Sequence, residues 1–392
     1  MITLKQPPSR LSALSCSKCK KQFSHTKLST FSPCCHKPLV AEYNLSEVIE
    51  KDAIDLQDNS MWRYSEFLPV MRKKNIVSLG EGMTPLLKLK NLSSRYGVSD
   101  VVLKDESGNP TGSFKARGIS VAISKAKEFG INSCIIPTAG NAGGALAAYC
   151  AKASIKCTVV MPRKTPEVFK QECEMYGADL ILIDGLINDC ARKVEQLKVE
   201  KEYFDISTMK EPFRLEGKKT MGYEIAEQLN WELPDVIIYP AGGGTGLIGI
   251  WKAFREMQQM GWISGPLPRM IAIQSENCAS IESAVKNPSN WKDDFTPLAS
   301  VANGLAVPYP FAMDMMLDVL RESNGTTCTI SESDIISSIK EIAYSEGLII
   351  SPEGAAAWKG IIKLIESGKL HPSDKILLLN TGSGYKYLEN IF

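Results

Sequence analysis

After an N-terminal stretch that carries several cysteines, short apolar runs alternate with helix-like segments along most of the chain. The apolar run at 156–162, for example, precedes a helix-like stretch at 165–176 and a second apolar run at 179–184. Strands that alternate with helices form parallel sheets with right-handed crossovers. Because 392 residues are many for a single domain, the pattern predicts two packed α/β layers with a large buried core.

One lysine, Lys115, stands just inside a predicted helix start in the segment Asn-Pro-Thr-Gly-Ser-Phe-Lys-Ala-Arg-Gly at 109–118, directly after an apolar strand. The positive end of the helix dipole disfavours its ammonium form, and partial burial makes its deprotonation easier. A neutral lysine amine can attack an aldehyde, which points to a Schiff-base lysine and to pyridoxal phosphate. Taken alone, a lysine at this position is more often a solvated first-turn residue.

Three glycine-rich turns, each after an apolar run, make the cofactor hypothesis stronger. The first opens an alanine-rich helix and contains Thr138, Ala139, Gly140 and Asn141. Its backbone N–H groups can bind a substrate carboxylate, and the Asn141 amide can donate to a phenolate oxygen of the cofactor. Ordinary turn chemistry before a packed helix is the alternative interpretation.

The second turn follows the apolar strand at 235–240 and consists of Gly242, Gly243, Gly244, Thr245 and Gly246. Successive glycines let the backbone wrap around a phosphate, and the helix that follows adds a favourable dipole. The segment lacks the Lys-Ser/Thr pair of a P-loop, which argues against hydrolysis of a nucleotide triphosphate. It therefore predicts a binding site for the cofactor phosphate.

The third turn, at 380–384, closes the last apolar strand and contains Thr381. A neutral hydroxyl facing the pyridine nitrogen would not keep that nitrogen protonated. This limits carbanion delocalisation and suits elimination and replacement at the β and γ carbons. A simple strand-end turn is the alternative.

These four elements, in this order, resemble the fold-type II pyridoxal-phosphate enzymes, and within that family the threonine synthases most closely. The segments 79–87, 104–106, 214–220 and 352–356 support the resemblance, which runs from about Cys16 to the C-terminus. It implies two open parallel-sheet α/β/α domains with the cofactor in the interdomain cleft, and a homodimer. It also implies that Phe114 and Lys115 contact the cofactor, and that the reaction converts O-phospho-L-homoserine and water to L-threonine and phosphate.

The same resemblance suggests how the chain is divided and which cations bind the substrate phosphate. We expect a cysteine-bearing segment at 1–45, a large cofactor-binding domain at 46–117 plus 216–392, and a small mobile domain at 118–215. The candidate phosphate ligands are basic side chains, namely Arg163, Arg214, Lys218 and Lys219. Basic residues of this kind are more often solvated.

The sequence constrains the identity of the substrate less than it constrains the identity of the cofactor. Many threonine synthases have Asp where this chain has Ala116, and the Lys-Ala-Arg-Gly form also occurs among dehydratases. A threonine or serine dehydratase (ammonia-lyase) is therefore the main alternative. A β-replacement synthase that makes cysteate or diaminopropionate is another, and a cofactor-free binding protein that keeps the fold is a third.

Composition excludes several other classes. The net charge of +1 gives no electrostatic reason for a nucleic-acid or membrane partner, and the N-terminus lacks a signal-peptide core. We therefore expect a cytoplasmic enzyme with a small amino-acid substrate. None of the three histidines, His25, His36 and His371, lies in a glycine-rich turn, which argues against Ser/His or Cys/His catalysis.

The cysteines fall into two groups. Most of the 11 lie in apolar segments, where reduced core thiols are expected. Cys16, Cys19, Cys34 and Cys35 instead share a short polar stretch that resembles a zinc knuckle. The second pair is adjacent and lacks the two-residue gap of the first, so a metal-free remnant of a zinc ribbon is the alternative.

Overall fold

The computed structural model describes residues 9–46, 48–99, 101–293 and 296–391. Its strands are β1 (Leu11–Cys16), β2 (Gln22–Phe23), β3 (Leu39–Tyr43), β4 (Leu86–Lys88), β5 (Val101–Asp105), β6 (Ser133–Pro137), β7 (Lys156–Pro162), β8 (Asp179–Ile183), β9 (Phe204–Asp205), β10 (Val236–Pro240), β11 (Arg269–Ser275), β12 (Thr326–Ile330) and β13 (Ile376–Asn380). Its α-helices are α1 (Lys90–Tyr96), α2 (Lys115–Glu128), α3 (Asn141–Ala153), α4 (Glu167–Met175), α5 (Ile187–Glu200), α6 (Phe213–Gln228), α7 (Thr245–Gln259), α8 (Ser280–Lys286), α9 (Met313–Glu322), α10 (Glu332–Glu346), α11 (Pro352–Glu366) and α12 (Leu388–Ile391). From β5 onward, one or two helices separate successive strands, which confirms the expected α/β class.

A six-stranded sheet has the strand order β12-β11-β10-β13-β5-β4, and only the edge pair β4–β5 is antiparallel. Every residue of β10 and of β13 is buried. Parallel strands that are covered on both faces read as continuous apolar runs, which is why these two strands show no alternation in sequence. Helix α11 packs on this sheet and contacts β10 to β13.

A four-stranded parallel sheet has the order β8-β7-β6-β9. Helices α3 and α5 pack on it, and α3 also packs against α2. The small core between α5 and the sheet contains Ile135, Val160, Cys190 and Val194. Strand β6, which precedes the turn at 138–141, has a parallel neighbour on each side, β7 and β9.

The N-terminal segment forms a three-stranded antiparallel sheet of order β2-β1-β3. The ammonium group of Lys252 on α7 donates to the carbonyl of Ala41 in β3 at 2.6 Å. The Lys219 ammonium group on α6 lies 3.8 Å from the ring centroid of Tyr43. These contacts attach the small sheet to helices of the main fold.

The chain divides into two compact units. One comprises the residues up to Met83, Lys115–Glu224 and Lys252–Ser264, and contains the three- and four-stranded sheets. The other comprises Thr84–Phe114, Ile225–Trp251 and the residues from Gly265 onward, and contains the six-stranded sheet. The domain boundaries expected from the sequence, with a large domain at 46–117 plus 216–392 and a small domain at 118–215, stay a prediction. Within the described ranges, none of the helices is both apolar and long enough to cross a bilayer.

Candidate active site

Three of the sequence motifs follow adjacent strands of the six-stranded sheet. The glycine turn 242–246 follows β10, Thr381 follows β13, and the loop that leads to Lys115 follows β5. Strand β13 lies between the other two, and Asn380 at its end is level with Asp105 at the end of β5. Because the carboxyl ends of parallel strands meet at one edge, the three motifs share the edge where α/β sheets bind ligands.

The loop after β5 is tied to the turn after β13 by its backbone. Thr111 and Gly112 both have left-handed φ angles, of 59° and 61°. The Ser383 N–H donates to the Gly112 carbonyl at 2.8 Å, and the Phe114 N–H donates to the Thr381 carbonyl at 3.0 Å. Phe114 is thereby held beside Thr381, and Lys115 is the next residue in the chain.

Three glycines of the glycine turn have no room for a side chain. A Cβ at Gly242 would collide with the carbonyl oxygen of Gly304, and one at Gly246 would collide with the Tyr239 ring. Gly244 has a φ of +74°, and a Cβ there would overlap the side chain of Met316. Helix α7 begins at Thr245, so the turn combines glycine backbone with a helix N-terminus. This donor set fits a phosphate group.

Glu353 supports the glycine turn. Its carboxylate accepts a hydrogen bond of 2.7 Å from the backbone N–H of Gly304, the residue that packs against Gly242. Glu353 is buried at the start of α11, in the segment Pro-Glu-Gly-Ala-Ala. Sequence reasoning used this segment only as support for the resemblance. The sequence signal that could have identified this role is a carboxylate in the first turn of an otherwise apolar helix.

Lys115 is the first residue of α2, and this helix is anchored by a buried ion pair. Arg117 donates to both carboxylate oxygens of Glu224 on α6, and neither side chain is exposed to solvent. Arg117 also donates to the Thr220 hydroxyl at 3.0 Å. Bidentate pairing fixes the rotation of the helix as well as its position.

Glycines allow α2 and α6 to approach closely. A Cβ at Gly118 would lie 2.7 Å from the Arg214 carbonyl oxygen, and a Cβ at Gly217 would collide with the Arg117 carbonyl. The segments 109–118 and 214–220 of the sequence analysis therefore meet at a crossing of two helices. This crossing sets the position of the first turn of α2.

Glu81 anchors α2 and α3 from another direction. Its buried carboxylate accepts hydrogen bonds from the Trp62 indole at 2.8 Å, from Ser120 on α2 and from Tyr149 on α3. Burial and the adjacent carboxylate raise the pKa of Tyr149 well above its ordinary value, so the phenol stays a donor. The helices that begin at Lys115 and Asn141 thus share one polar anchor.

The turn at 138–141 connects β6 to α3. The Gly140 N–H donates to the Thr138 hydroxyl at 3.2 Å, and Asn141 is the first residue of the helix. The glycines that follow Asn141 allow close packing, because a Cβ at Gly143 would lie 2.7 Å from Met161. Thr138, Ala139, Gly140 and Asn141 therefore form a helix N-terminus, which can bind a carboxylate.

The four candidate phosphate ligands lie in different environments. Arg163 is exposed and pairs with Asp184 at 2.7 Å. Arg214, Lys218 and Lys219 are buried on α6, where the sequence analysis expected solvated side chains. The Arg214 guanidinium donates to the Ile206 carbonyl at 2.6 Å.

Lys219 belongs to a buried ion-pair network. Its ammonium group lies 2.8 Å from the carboxylate of Glu216 and 3.0 Å from that of Glu256. Lys252 on α7 also pairs with Glu216. Burial lowers the pKa of Lys219, and the carboxylates oppose this effect. Whether these basic residues bind substrate phosphate stays a prediction.

Glu211 makes the start of α6 sensitive to pH. It is buried, and its carboxylate accepts hydrogen bonds from the N–H groups of Phe213 at 2.7 Å and Arg214 at 3.0 Å. Burial raises its pKa to about 7, although Arg214 opposes the shift. The folded protein therefore holds a proton on Glu211 at pH values where the unfolded chain does not.

This shift predicts a loss of stability as the pH rises. The contribution of Glu211 is present below its unfolded pKa and is lost as the pH passes its folded value, which removes up to about 3 kcal/mol. In urea unfolding between about pH 5 and pH 8, Glu211→Gln should lose less stability than the original chain. The exposed Glu202→Gln is the control. Identical pH slopes for the original chain and Glu211→Gln would contradict the assignment.

The N-terminal cysteines form a single cluster in the structure. The sulfur atoms of Cys16, Cys19, Cys34 and Cys35 all lie within 4.8 Å of one another. The seven other cysteines, all buried, are also free thiols, as the sequence analysis expected for core positions. The cluster lies at the three-stranded sheet and is a candidate metal site.

Comparison with known proteins agrees with this geometry. Residues 77–382 match the family described as pyridoxal-phosphate dependent enzyme. The chain is 32% identical over 375 residues to a threonine synthase of Methanocaldococcus jannaschii, with 95% of this chain and 92% of that protein covered. It is also 32% identical over 371 residues to a threonine synthase of Methanosarcina acetivorans, with 94% and 91% covered.

Solved structures agree on the fold. The chain superimposes on the processed form of threonine deaminase isoform 2 from Solanum lycopersicum with a TM-score of 0.65 and 22% identity, covering 79% of this chain and 86% of that one. The matched family segment contains Lys115, the first two glycine-rich turns and Thr381 of the third. The chain therefore belongs to the pyridoxal-phosphate dependent enzyme family, and within it to the group of the threonine synthases.

Proposed function

We propose that this enzyme is a lyase that converts O-phospho-L-homoserine and water to L-threonine and phosphate. The observation that carries the proposal is the 32% identity to a threonine synthase over nearly the full length of both chains. The presence of Lys115, Asn141, the glycine turn and Thr381 at strand ends or helix starts supports the same conclusion.

In this reaction Lys115 would move protons at the substrate carbons. Bound pyridoxal phosphate supplies an electron sink for the negative charge that develops at the α carbon. Lys115 sits in the first turn of α2, where the dipole favours a neutral amine that can accept the α proton. The anchors on Arg117 and Glu81 hold this helix while the proton moves.

The other residues would bind and orient. Backbone N–H groups at Thr138, Ala139, Gly140 and Asn141 would hold the substrate carboxylate at the start of α3, and the Asn141 amide would donate to the cofactor phenolate. The crowded turn formed by Gly242, Gly243, Gly244, Thr245 and Gly246 would hold the cofactor phosphate. The Thr381 hydroxyl would face the ring nitrogen, and Phe114 would line the cofactor beside it.

The chemistry balances without a further co-reactant. After the α proton has been removed, a β proton is removed as well. The bond between the γ carbon and the phosphate oxygen then breaks, and phosphate leaves with the electron pair. A proton then adds at the γ carbon, water adds its hydroxyl at the β carbon, and a proton returns to the α carbon; the remaining proton leaves with the phosphate. The departing phosphate needs cations, and we propose that these come from Arg163, Arg214, Lys218 and Lys219.

A paired assay tests this function. The protein loaded with pyridoxal phosphate is given O-phosphohomoserine, and phosphate and threonine are quantified beside the 2-oxo acid formed from threonine and serine. Equal amounts of phosphate and threonine support the proposal.

The dehydratase alternative rests on Ala116, a buried residue next to Lys115. Oxo acid without threonine synthesis would establish that alternative, and activity only in β-replacement of a substituted serine would indicate a cysteate or diaminopropionate synthase.

Thr381→Asp is expected to change the ratio of products more than cofactor affinity. Aspartate would keep the ring nitrogen protonated and strengthen electron withdrawal, so the ratio of 2-oxo acid to threonine should shift about tenfold. Thr381→Ser keeps the hydroxyl and is the matched control. Product ratios per phosphate released provide the measurement, and an unchanged ratio would argue against pairing of Thr381 with the ring nitrogen.

We propose further that the enzyme is a cytoplasmic homodimer that acts on a small amino-acid substrate and has no nucleic-acid or membrane partner. The resemblance to its family supports the dimer, and the net charge of +1 supports the absence of nucleic-acid and membrane partners. Light scattering of the purified protein would test the dimer, since a monomer has a mass of 43.1 kDa.

A further inference from the structure

The first pair of N-terminal cysteines lies in a tight turn at the end of β1. The Cys16 N–H donates to the Lys21 carbonyl at 2.9 Å, and the Lys20 N–H donates back to the Cys16 carbonyl at 3.0 Å. Lys20, which follows the second cysteine, has a left-handed φ of 61°. Ser15 and Gln22 pair on either side of the turn. The sulfur atoms of Cys16 and Cys19, at the two ends of this turn segment, lie within 4.8 Å of each other.

The second pair lies in a turn with the same pattern of bonds. The Ser32 N–H donates to the Lys37 carbonyl at 2.8 Å, and the His36 N–H donates back to the Ser32 carbonyl at 2.9 Å. His36, which follows the second cysteine of this pair, has a left-handed φ of 51°. Phe31 and Pro38 form an antiparallel bridge on either side. The two turns therefore correspond residue by residue with an offset of 16, counted from Cys16 to Ser32.

This correspondence assigns a position to each cysteine. Cys35 takes the place of Cys19 at the fourth position of the turn. Ser32 takes the place of Cys16 at the first position, and both residues are fully buried. Cys34 is at the third position, where the first turn has Lys18. The adjacent pair thus results from serine at the first position of the second turn and cysteine at its third and fourth positions.

Ser32, at the first position of the second turn, contacts the cysteine cluster. The Cys16 thiol lies 3.2 Å from the Ser32 hydroxyl, which also accepts a hydrogen bond from the Lys37 N–H at 3.1 Å. The Cys34 sulfur lies 3.4 Å from the Cys19 sulfur. In a tetrahedral zinc thiolate site with Zn–S distances of about 2.3 Å, neighbouring sulfurs are about 3.8 Å apart. The four sulfurs, all within 4.8 Å of one another, need only small shifts to reach this spacing.

We propose that the three-stranded sheet binds one structural zinc ion through Cys16, Cys19, Cys34 and Cys35, and that Cys34 supplies the thiolate that Ser32 cannot supply. Zinc suits four thiolates in a closed tetrahedral site. Each thiol loses its proton when the ion binds, and no electron is transferred. The Ser32 hydroxyl then donates a hydrogen bond to the Cys16 thiolate and orients it from outside the set of ligands.

Metal content of the full chain, purified without a metal-binding tag and equilibrated with zinc under reducing conditions, tests the site. We expect one zinc per chain by elemental mass spectrometry. Cys34→Ser should lower this to below about a tenth, since three thiolates no longer close the site. The core variant Cys328→Ser is the control and should keep its zinc. Zinc below a tenth per chain in the original protein, or an equal amount of iron instead, would overturn the proposal.

A rescue experiment tests the correspondence of the two turns. Adding Ser32→Cys to Cys34→Ser restores the two-residue gap and should bring zinc back to one per chain. Cobalt loading gives a second readout, because absorption bands of tetrahedral cobalt thiolate should vanish in Cys34→Ser and return in the double variant. Circular dichroism confirms that each variant is folded. Full zinc in Cys34→Ser, or no recovery in the folded double variant, would refute the assignment of Cys34 as the substitute ligand.

Discussion

Replacing Lys115 with alanine is expected to lower turnover by about 10⁴-fold or more, because one side chain holds the cofactor and moves the substrate protons. The variant should also lose the visible absorbance that arises when a lysine amine condenses with the aldehyde of pyridoxal phosphate. The fold should be retained, since α2 is anchored by Arg117 and by the contact of Ser120 with Glu81.

Borohydride reduction followed by peptide mass spectrometry gives the most direct measurement, because the cofactor mass should be found on the peptide that contains Lys115. Lys127→Ala is a matched control, since Lys127 is exposed near the other end of the same helix. It should keep normal turnover and absorbance. Turnover by Lys115→Ala without an added amine would contradict the role of Lys115.

Replacing Arg117 with methionine is expected to destabilise the protein by about 3–5 kcal/mol, because the change leaves a carboxylate buried without its cation. Glu224 has no solvent exposure, and besides Arg117 its carboxylate accepts from the Met83 N–H at 2.9 Å. Equilibrium unfolding in urea measures the loss. A change below about 1 kcal/mol would show that the pair contributes no more than a surface ion pair.

The double variant Arg117→Met/Glu224→Gln is the control for that experiment. Glutamine removes the buried charge and keeps an oxygen that can accept from Met83, so the double variant should recover more than half of the lost stability. Recovery would assign the destabilisation to the unpaired charge. If the double variant is as unstable as Arg117→Met, the loss comes from packing of the α2–α6 crossing instead.

Local patterns in the sequence were sufficient to predict the strand–turn–helix units. The run at 156–162 is β7, and the helix-like stretch at 165–176 contains α4. The glycine turn and Thr381 follow β10 and β13 as expected. These predictions succeeded because burial on both faces makes a parallel strand apolar throughout, and because glycine marks turns where a Cβ has no room.

Long-range features were not predictable in the same way. The order that places β13 between β10 and β5 depends on crossovers between distant segments, and no local pattern specifies it. The burial of Arg214 and Lys219 was also missed, because charged side chains indicate an exposed surface unless their partners are known. Those partners, Ile206 for Arg214 and Glu216 and Glu256 for Lys219, are contacts of the folded chain.

The central position of β13 also determines when this sheet can form. During synthesis, β5 and β10 leave the ribosome long before β13, the strand that lies between them. Until then both expose unpaired backbone edges, which attract other chains. The hydrogen bond from Phe114 to Thr381 forms only after β13 has been inserted. We therefore expect the edge that carries the glycine turn, Thr381 and the loop before Lys115 to assemble late and slowly.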